Sequence, residues 1–241
     1  MKVDYYRNAA YFPDIGTCAC ADIHIGIEDA IQAEGFAMPL EEERELLERF
    51  RGVIKKFEPK TLVLDGDVLH EFGRLRRNTK KSFDRITLEL FSSVDEVVVL
   101  TGSHDKMVDT ALEGTDIAPA DFYFKDGILF THGDCVPKKA KENDVKLIVI
   151  GHDHPTLDIE LKKEPCFLYG EKVWNGKDIL VLPAFNPLCA GTTINGMDSW
   201  DFMSPFIRES DIGRFKPVIT ADDEVLEFPE LREFRDILNT W

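Results

Sequence analysis

The chain has 241 residues, 44% of them apolar and 31% charged, which fits a folded globular protein with a substantial core and excludes a disordered tail. Lys plus Arg number 29 against 45 Asp plus Glu, and the net charge of −16 opposes broad, non-specific binding to polyanions. No uninterrupted apolar run exceeds four residues, so neither a membrane span nor a secretory segment is expected. Cys18, Cys20, Cys135, Cys166 and Cys189 are odd in number and lack a CxxC spacing, and they read as reduced thiols of a cytoplasmic protein.

In chain order, residues 15–21 form the first expected strand, with Cys18 and Cys20 on one face as small buried hydrophobes. Leu46, Leu47, Phe50, Val53, Ile54 and Phe57 recur at helical spacing, an amphipathic helix that Pro59 closes. Residues 61–64 form a buried strand. Phe83, Ile86, Leu90 and Val94 give one face of a second helix, and residues 97–100 form another buried strand. Residues 122–124 and 128–130 flank Lys-Asp-Gly, a hairpin signal. Short apolar runs follow at 147–150 and 179–182. A further hairpin is expected from 217–220 and 225–228, then a terminal helix from about Glu230. Trp174, Trp200 and Trp241 read as packing residues, and Asn186-Pro187 with residues 190–195 as a structural loop.

No repeat, low-complexity segment or linker divides the chain, so one domain is expected over residues 1–241. A βαβα half followed by a strand-rich half points to an α/β fold, a four-layer αββα sandwich of two mixed sheets with flanking helices. Between Gly73 and Arg85 lie Arg74, Arg76, Arg77, Lys80, Lys81 and Arg85 against Asp84 alone, a local reversal of the overall charge.

The six histidines carry the chemistry. They occur in Asp22-Ile-His24, Gly66-Asp67-Val-Leu-His70, Gly102-Ser103-His104-Asp105, His132-Gly-Asp134 and Gly151-His152-Asp153-His154. Any one such cluster is an ordinary loop or a satisfied core histidine. Five that each follow an expected strand, with no histidine left over, are not. Because the carboxyl ends of strands in an α/β sheet share one edge, these residues are expected to converge on one pocket. Imidazole with carboxylate suits Mn²⁺, Fe or Zn²⁺, and the lack of thiolate in the clusters argues against a structural zinc site. Two ions about 3.5–4 Å apart can share a carboxylate and a hydroxide, and so stabilise both oxygens of an in-line displacement at phosphorus. A metallo-β-lactamase-type centre needs a His-x-His-x-Asp-His run, which the chain lacks.

Taken in order, these motifs resemble those of the calcineurin-like metallophosphoesterases, over roughly residues 15–190. The stretch Leu64-Asp-Gly-Asp-Val-Leu-His70 is similar to the branch related to the exonuclease subunit of DNA double-strand-break repair complexes. The resemblance implies two divalent ions, Mn²⁺ first, with Fe, Zn or Ni as alternatives. Asp22, His24 and His154 would hold one, and Asp67 would bridge to a second held by His132 and His152. It implies His104 as general acid or transition-state stabiliser, oriented by Asp105, with His70 and Asp134 in supporting roles. Asp153 is expected to point away from the site into solvent. Where the family has Asn the chain has Ser103, whose shorter side chain reaches the second ion only through water, so a weakened second site is expected.

The implied activity is hydrolysis of a phosphodiester, on a nucleotide or on short nucleic acid gripped by the basic stretch 74–85. The alternative is a catalytically weakened metal-binding scaffold or regulatory subunit with the same fold. No membrane partner is expected, and a homodimer is compatible with the resemblance.

Overall fold

Strands β1 (Asp4–Tyr6) and β2 (Ala9–Phe12) form a hairpin whose two turn residues, Arg7 and Asn8, are both left-handed, at φ 48° and 65°. That is the turn whose twist matches paired strands. The hairpin is the antiparallel edge of a sheet continued by the parallel strands β3 (Thr17–Ala21), β4 (Thr61–Asp65) and β5 (Glu96–Leu100). The computed structural model describes residues 1–35, 41–71, 73–221 and 224–238. Helices α1 (Ile27–Ala33), α2 (Glu42–Phe57), α3 (Arg77–Ser93) and α4 (Val108–Leu112) lie in the connections of this half.

The second sheet is built from β6 (Tyr123–Lys125), β7 (Ile128–Phe130), β8 (Leu147–Ile150), β9 (Pro155–Ile159), β10 (Lys162–Trp174), β11 (Lys177–Val181) and β12 (Thr192–Thr193). Its core strands β7, β8 and β11 are parallel. The hairpin of β13 (Lys216–Ala221) and β14 (Glu224–Glu227) joins it through β10. Helices α5 (Pro205–Arg208) and α6 (Leu231–Leu238) belong to its outer side.

Alternation along the strands sorts the side chains into layers. Cys18, Cys20, Leu62 and Leu64 face outward, against Leu46, Phe50 and Val53 of α2 and Phe83, Ile86 and Leu90 of α3. Full burial of each of these phenylalanines contributes roughly 1.5–3 kcal/mol. The intervening residues Ala19, Ala21 and Val63 face the other sheet, meeting Phe130, Val149, Leu180 and Leu182. Small residues on β2 and β3 leave room there for the edge-on pair Phe12 and Phe130, with ring centroids 5.2 Å apart. Beyond the second sheet, Ile148, Ile150, Ile179 and Val181 pack against Phe206 and Ile207 of α5, Phe215, and Leu231 of α6. The fold is therefore the expected four-layer αββα sandwich of two mixed sheets.

Every expected strand and helix has its counterpart within the described residues. The turn between β13 and β14 spans residues 222–223, which lie outside them. Strand β10 falls outside the expected elements, although Asn175-Gly176, left-handed at φ 47° and 75°, is a strong two-residue hairpin signature joining it to β11. Trp174 is buried in the core as expected, whereas Trp200 is 79% exposed. It sits in a short turn, Ser199–Asp201, pinned by the Asp198 and Asp201 side chains, and no other layer lies over it. Trp241 lies outside the described residues. No described helix is long and apolar enough to cross a membrane.

Candidate metal centre

Parallel pairing brings strand ends level: Ala21, Asp65 and Leu100 are register partners in the first sheet, as are Ile150 and Val181 in the second. The two edges are joined at this point, since Ala21 bridges Ala184 and its carbonyl accepts from Phe185 N at 2.9 Å. Past the strand ends the chain turns sharply. Asp22, His24, Asp67, His152 and His154 all adopt left-handed backbone, at φ 44–72°. Such conformations cost about 1–3 kcal/mol each and persist where surrounding contacts impose them. Those contacts are visible: His24 N donates to Asp67 O at 2.9 Å, Ile25 N to Val68 O at 2.9 Å, and Gly151 N to His132 O at 3.0 Å. The motif glycines make space. A Cβ on Gly66 would collide with the His132 ring, and one on Gly102 with the Asp67 carboxylate and backbone.

Residues 130 positions apart thus meet: His152 N donates to Asp22 Oδ2 at 3.0 Å. Two groups of donors result, Asp22 with His24 and His154, and Asp67 with His132 and His152. Their separations test whether an ion fits. Ligands bonded at about 2.0–2.2 Å in tetrahedral or octahedral arrangement lie about 3.0–3.5 Å from one another. His154 Nε2 is 3.0 Å from Asp22 Oδ1, His132 Nε2 is 3.4 Å from Asp67 Oδ2, and His152 Nδ1 is 3.1 Å from His132 Nε2. Asp22 Oδ1 and His154 Nε2 are buried and, apart from each other, have no hydrogen-bond partner among the described residues. Buried polar atoms are rarely left so, and a shared cation would satisfy both. The donor set fits divalent metal.

Asp67 links the groups. Its Oδ2 is 3.4 Å from His132 Nε2 and 4.0 Å from His24 Nε2, so one oxygen faces both. It is also 3.8 Å from His104 Nε2. Asp67 is only 2% exposed, and its Oδ1 accepts from His104 N at 2.8 Å.

The shifts of these groups reflect how closely carboxylates and imidazoles are packed. Burial alone would lower His132, but its hydrogen bond to Asp67 and the charges of Asp22, Asp67 and Asp65 lift it to about 10. Burial likewise opposes ionisation of Asp67, yet the contact with His132 holds it below the usual carboxylate range. His24, by contrast, is driven down to about 4, chiefly by burial, which favours the neutral imidazole. Its Nδ1 is 3.3 Å from Nδ1 of His70, and His132 Nδ1 lies 3.2 Å from the Asp65 carbonyl. Partners on the far ring nitrogen orient a ligating imidazole.

The remaining expected residues are placed as follows. Ser103 is exposed, with Oγ 3.5 Å from Asp67 Oδ2. His104 stands at the open side with its side chain 38% exposed. The Asp105 carboxylate accepts from Leu69 N and Gly102 N, both at 3.0 Å, and so braces the turn that carries His104. Asp134 is exposed and bears on Asp65 and His152 through its charge. Asp153 corrects the expectation of a solvated side chain. It is buried, and accepts from Met203 N at 2.7 Å and Ser204 N at 3.3 Å, because the segment leading into α5 docks over it.

Two carboxyls outside the expected set support the centre. Asp65, the last residue of β4, is fully buried with neither oxygen partnered among the described residues. Burial, with the charges of Asp22 and Asp134, holds it well above the usual range. The doublet Asp65-Gly66-Asp67 was its signal. Glu42, at the start of α2, accepts from Gly26 N at 3.2 Å and from Asn186 Nδ2 at 2.8 Å, and burial pushes it up to about 7. Asn186 also donates to Ile23 O at 2.8 Å, so the segment expected to be structural ties α2 to the first metal loop.

The fold is metallophosphoesterase-like, and the two donor groups at its strand ends could hold metal ions. Among solved structures, the chain is similar to the nuclease MPE of Pseudomonas putida, with a TM-score of 0.63 at 18% identity over 92% of each chain. The phosphoesterase YfcE of E. coli aligns with a TM-score of 0.46 at 15% identity, over 89% of this chain and 98% of the other. No protein-family model and no curated protein matches the chain by sequence.

Proposed function

We propose that this protein is a metal-dependent phosphodiester hydrolase with a dinuclear centre, Mn²⁺ being the preferred ion. The observation that carries the reading is Asp67 Oδ2, one buried oxygen facing both donor groups and His104. The fold shared with a Pseudomonas putida nuclease supports it. Asp22, His24 and His154 would hold the first ion, and His132 and His152 the second, with Asp67 between them. Two ions held there would supply a lowered pKa for an attacking water and positive charge to offset that at phosphorus.

The protein's own residues do the rest. His104, at the open side, reaches a phosphate oxygen and donates a proton to the leaving group. Asp105 positions it by holding Gly102 and Leu69. Burial of Asp22 and Asp67 keeps bulk water from competing for their oxygens.

The test is hydrolysis of bis-p-nitrophenyl phosphate against p-nitrophenyl phosphate across a Mn²⁺ titration. Preferential, Mn²⁺-dependent cleavage of the diester is expected, with kcat reduced about 10²–10⁴-fold in His104→Ala. Absence of cleavage at millimolar metal would overturn the reading. It would favour the second one, a metal-binding scaffold or regulatory subunit, for which Ser103 in place of the family's Asn is the specific observation.

A further inference from the structure

Helix α3 begins without an acid. Its first turn carries no Asp or Glu, although carboxylates are favoured where the helix dipole is positive. The carboxylates at this start come from outside it: Glu71, buried, accepts from Arg76 N at 3.2 Å and Thr79 Oγ1 at 2.7 Å, and Asp29 accepts from Thr79 Oγ1 at 3.3 Å. Around it Arg74, Arg76, Arg77, Lys80 and Lys81 line a groove of about 1030 Å³, with Glu71 and Glu113 the acidic residues among its described lining. In a chain of net charge −16 this is a concentrated reversal of sign. Lys80 is engaged by Asp84 at 2.5 Å and Arg76 by Glu71 at 3.8 Å. Arg74, Arg77 and Lys81 are exposed and make no ion pair among the described residues.

The groove begins where the metal centre ends. Glu71 directly follows His70, whose ring meets His24. The opposite wall, Thr110 and Glu113, is supplied by α4 and its C-terminal cap, next after the loop that carries His104. A polymer with one linkage at the metals therefore lays its neighbouring phosphates along the cations.

We propose that this groove binds the backbone of a single-stranded nucleic acid whose scissile linkage lies at the metal centre. The proposal rests on the hydrolase reading above for the fate of that linkage, but not for binding. A mononucleotide has no second phosphodiester to place in the groove. A duplex carries one charge per about 1.7 Å of axis and is stiff, so it would spread phosphates over the acidic surface beyond. A single strand bends and confines its contacts to the basic strip.

The experiment is fluorescence anisotropy of a short labelled oligothymidylate with the full chain in EDTA, from about 50 to 200 mM salt. Wild type is expected to bind, with log affinity falling against log salt at a slope of about −2, the value for three phosphates neutralised in a single strand. The variant Arg74→Glu, Arg77→Glu, Lys81→Glu is expected to bind at least about tenfold more weakly and with a flatter slope. A control, Lys55→Glu, Lys60→Glu, Lys163→Glu, changes net charge equally away from the groove and is expected to bind as wild type; circular dichroism checks that both fold. No binding by wild type, equal loss in both variants, or tighter binding of a duplex of the same length would each overturn the proposal. Bis-p-nitrophenyl phosphate hydrolysis, run in parallel, separates the two readings. Diester cleavage without oligonucleotide binding sinks the groove and spares the hydrolase. Binding without cleavage does the reverse.

Discussion

Ser103 is where a single side chain decides most. Its Oγ stands 3.5 Å from Asp67 Oδ2, the oxygen that faces both donor groups, and an Asn amide would extend further into the same space. Ser103→Asn is therefore expected to lower the Mn²⁺ concentration for half-maximal diester hydrolysis by about tenfold. A Mn²⁺ titration identical to that of wild type would remove position 103 from the metal centre. Gly102, one residue earlier, acts by what it lacks. A methyl group there would occupy the place of the Asp67 carboxylate, so Gly102→Ala should displace the bridge while leaving both sheets intact. The expected result is loss of the second ion, read by calorimetric Mn²⁺ titration, with an unchanged circular dichroism spectrum.

At the level of elements, the loop between β8 and β9 supplies two of the candidate donors, His152 and His154, and is held from outside the sheet. Asp153, between His152 and His154, accepts the amides of Met203 and Ser204, and Ser204 Oγ donates to Gly133 O at 2.7 Å beside His132. The layer containing α5 thus clamps the loops that carry three of the histidines. Asp153→Ala leaves two amides without acceptors, at about 1–3 kcal/mol each. It should lower the midpoint of urea unfolding and weaken Mn²⁺ binding together. A loss of stability with metal affinity untouched would show that the clamp supports only the fold. No periodicity announces this clamp. His152-Asp153-His154 alternates like any extended segment, and what covers Asp153 arrives some 50 residues later in the chain.

For the molecule as a whole, the candidate metal centre is a cluster of buried carboxyls and histidines at the seam of two sheets. Asp22, Asp65 and Asp67 are buried together; neighbouring histidines hold Asp22 and Asp67 below the usual carboxylate range, whereas burial holds Asp65 above it. Divalent ions binding the folded chain at about 100 times their dissociation constant would add about 2.7 kcal/mol, which in a chain of this size raises the melting temperature by roughly 5–10 °C. Differential scanning fluorimetry in EDTA and in Mn²⁺ checks it, and no shift would mean that the carboxylates are satisfied without metal. Much of this centre is readable from the primary structure. Buried strands announce themselves as short apolar runs, and Asp22, Asp67, His104, His132 and His152 each follow one. A parallel sheet then has no choice but to gather them at its carboxyl edge. The alternation of Cys18 with Ala19 likewise predicts two faces for β3. Local pattern cannot say what comes to rest on a face. Asp65 and Asp153 are buried and Trp200 is exposed because burial depends on which distant segment docks, and docking is settled by the packing of four layers, not by the spacing of neighbours along one chain.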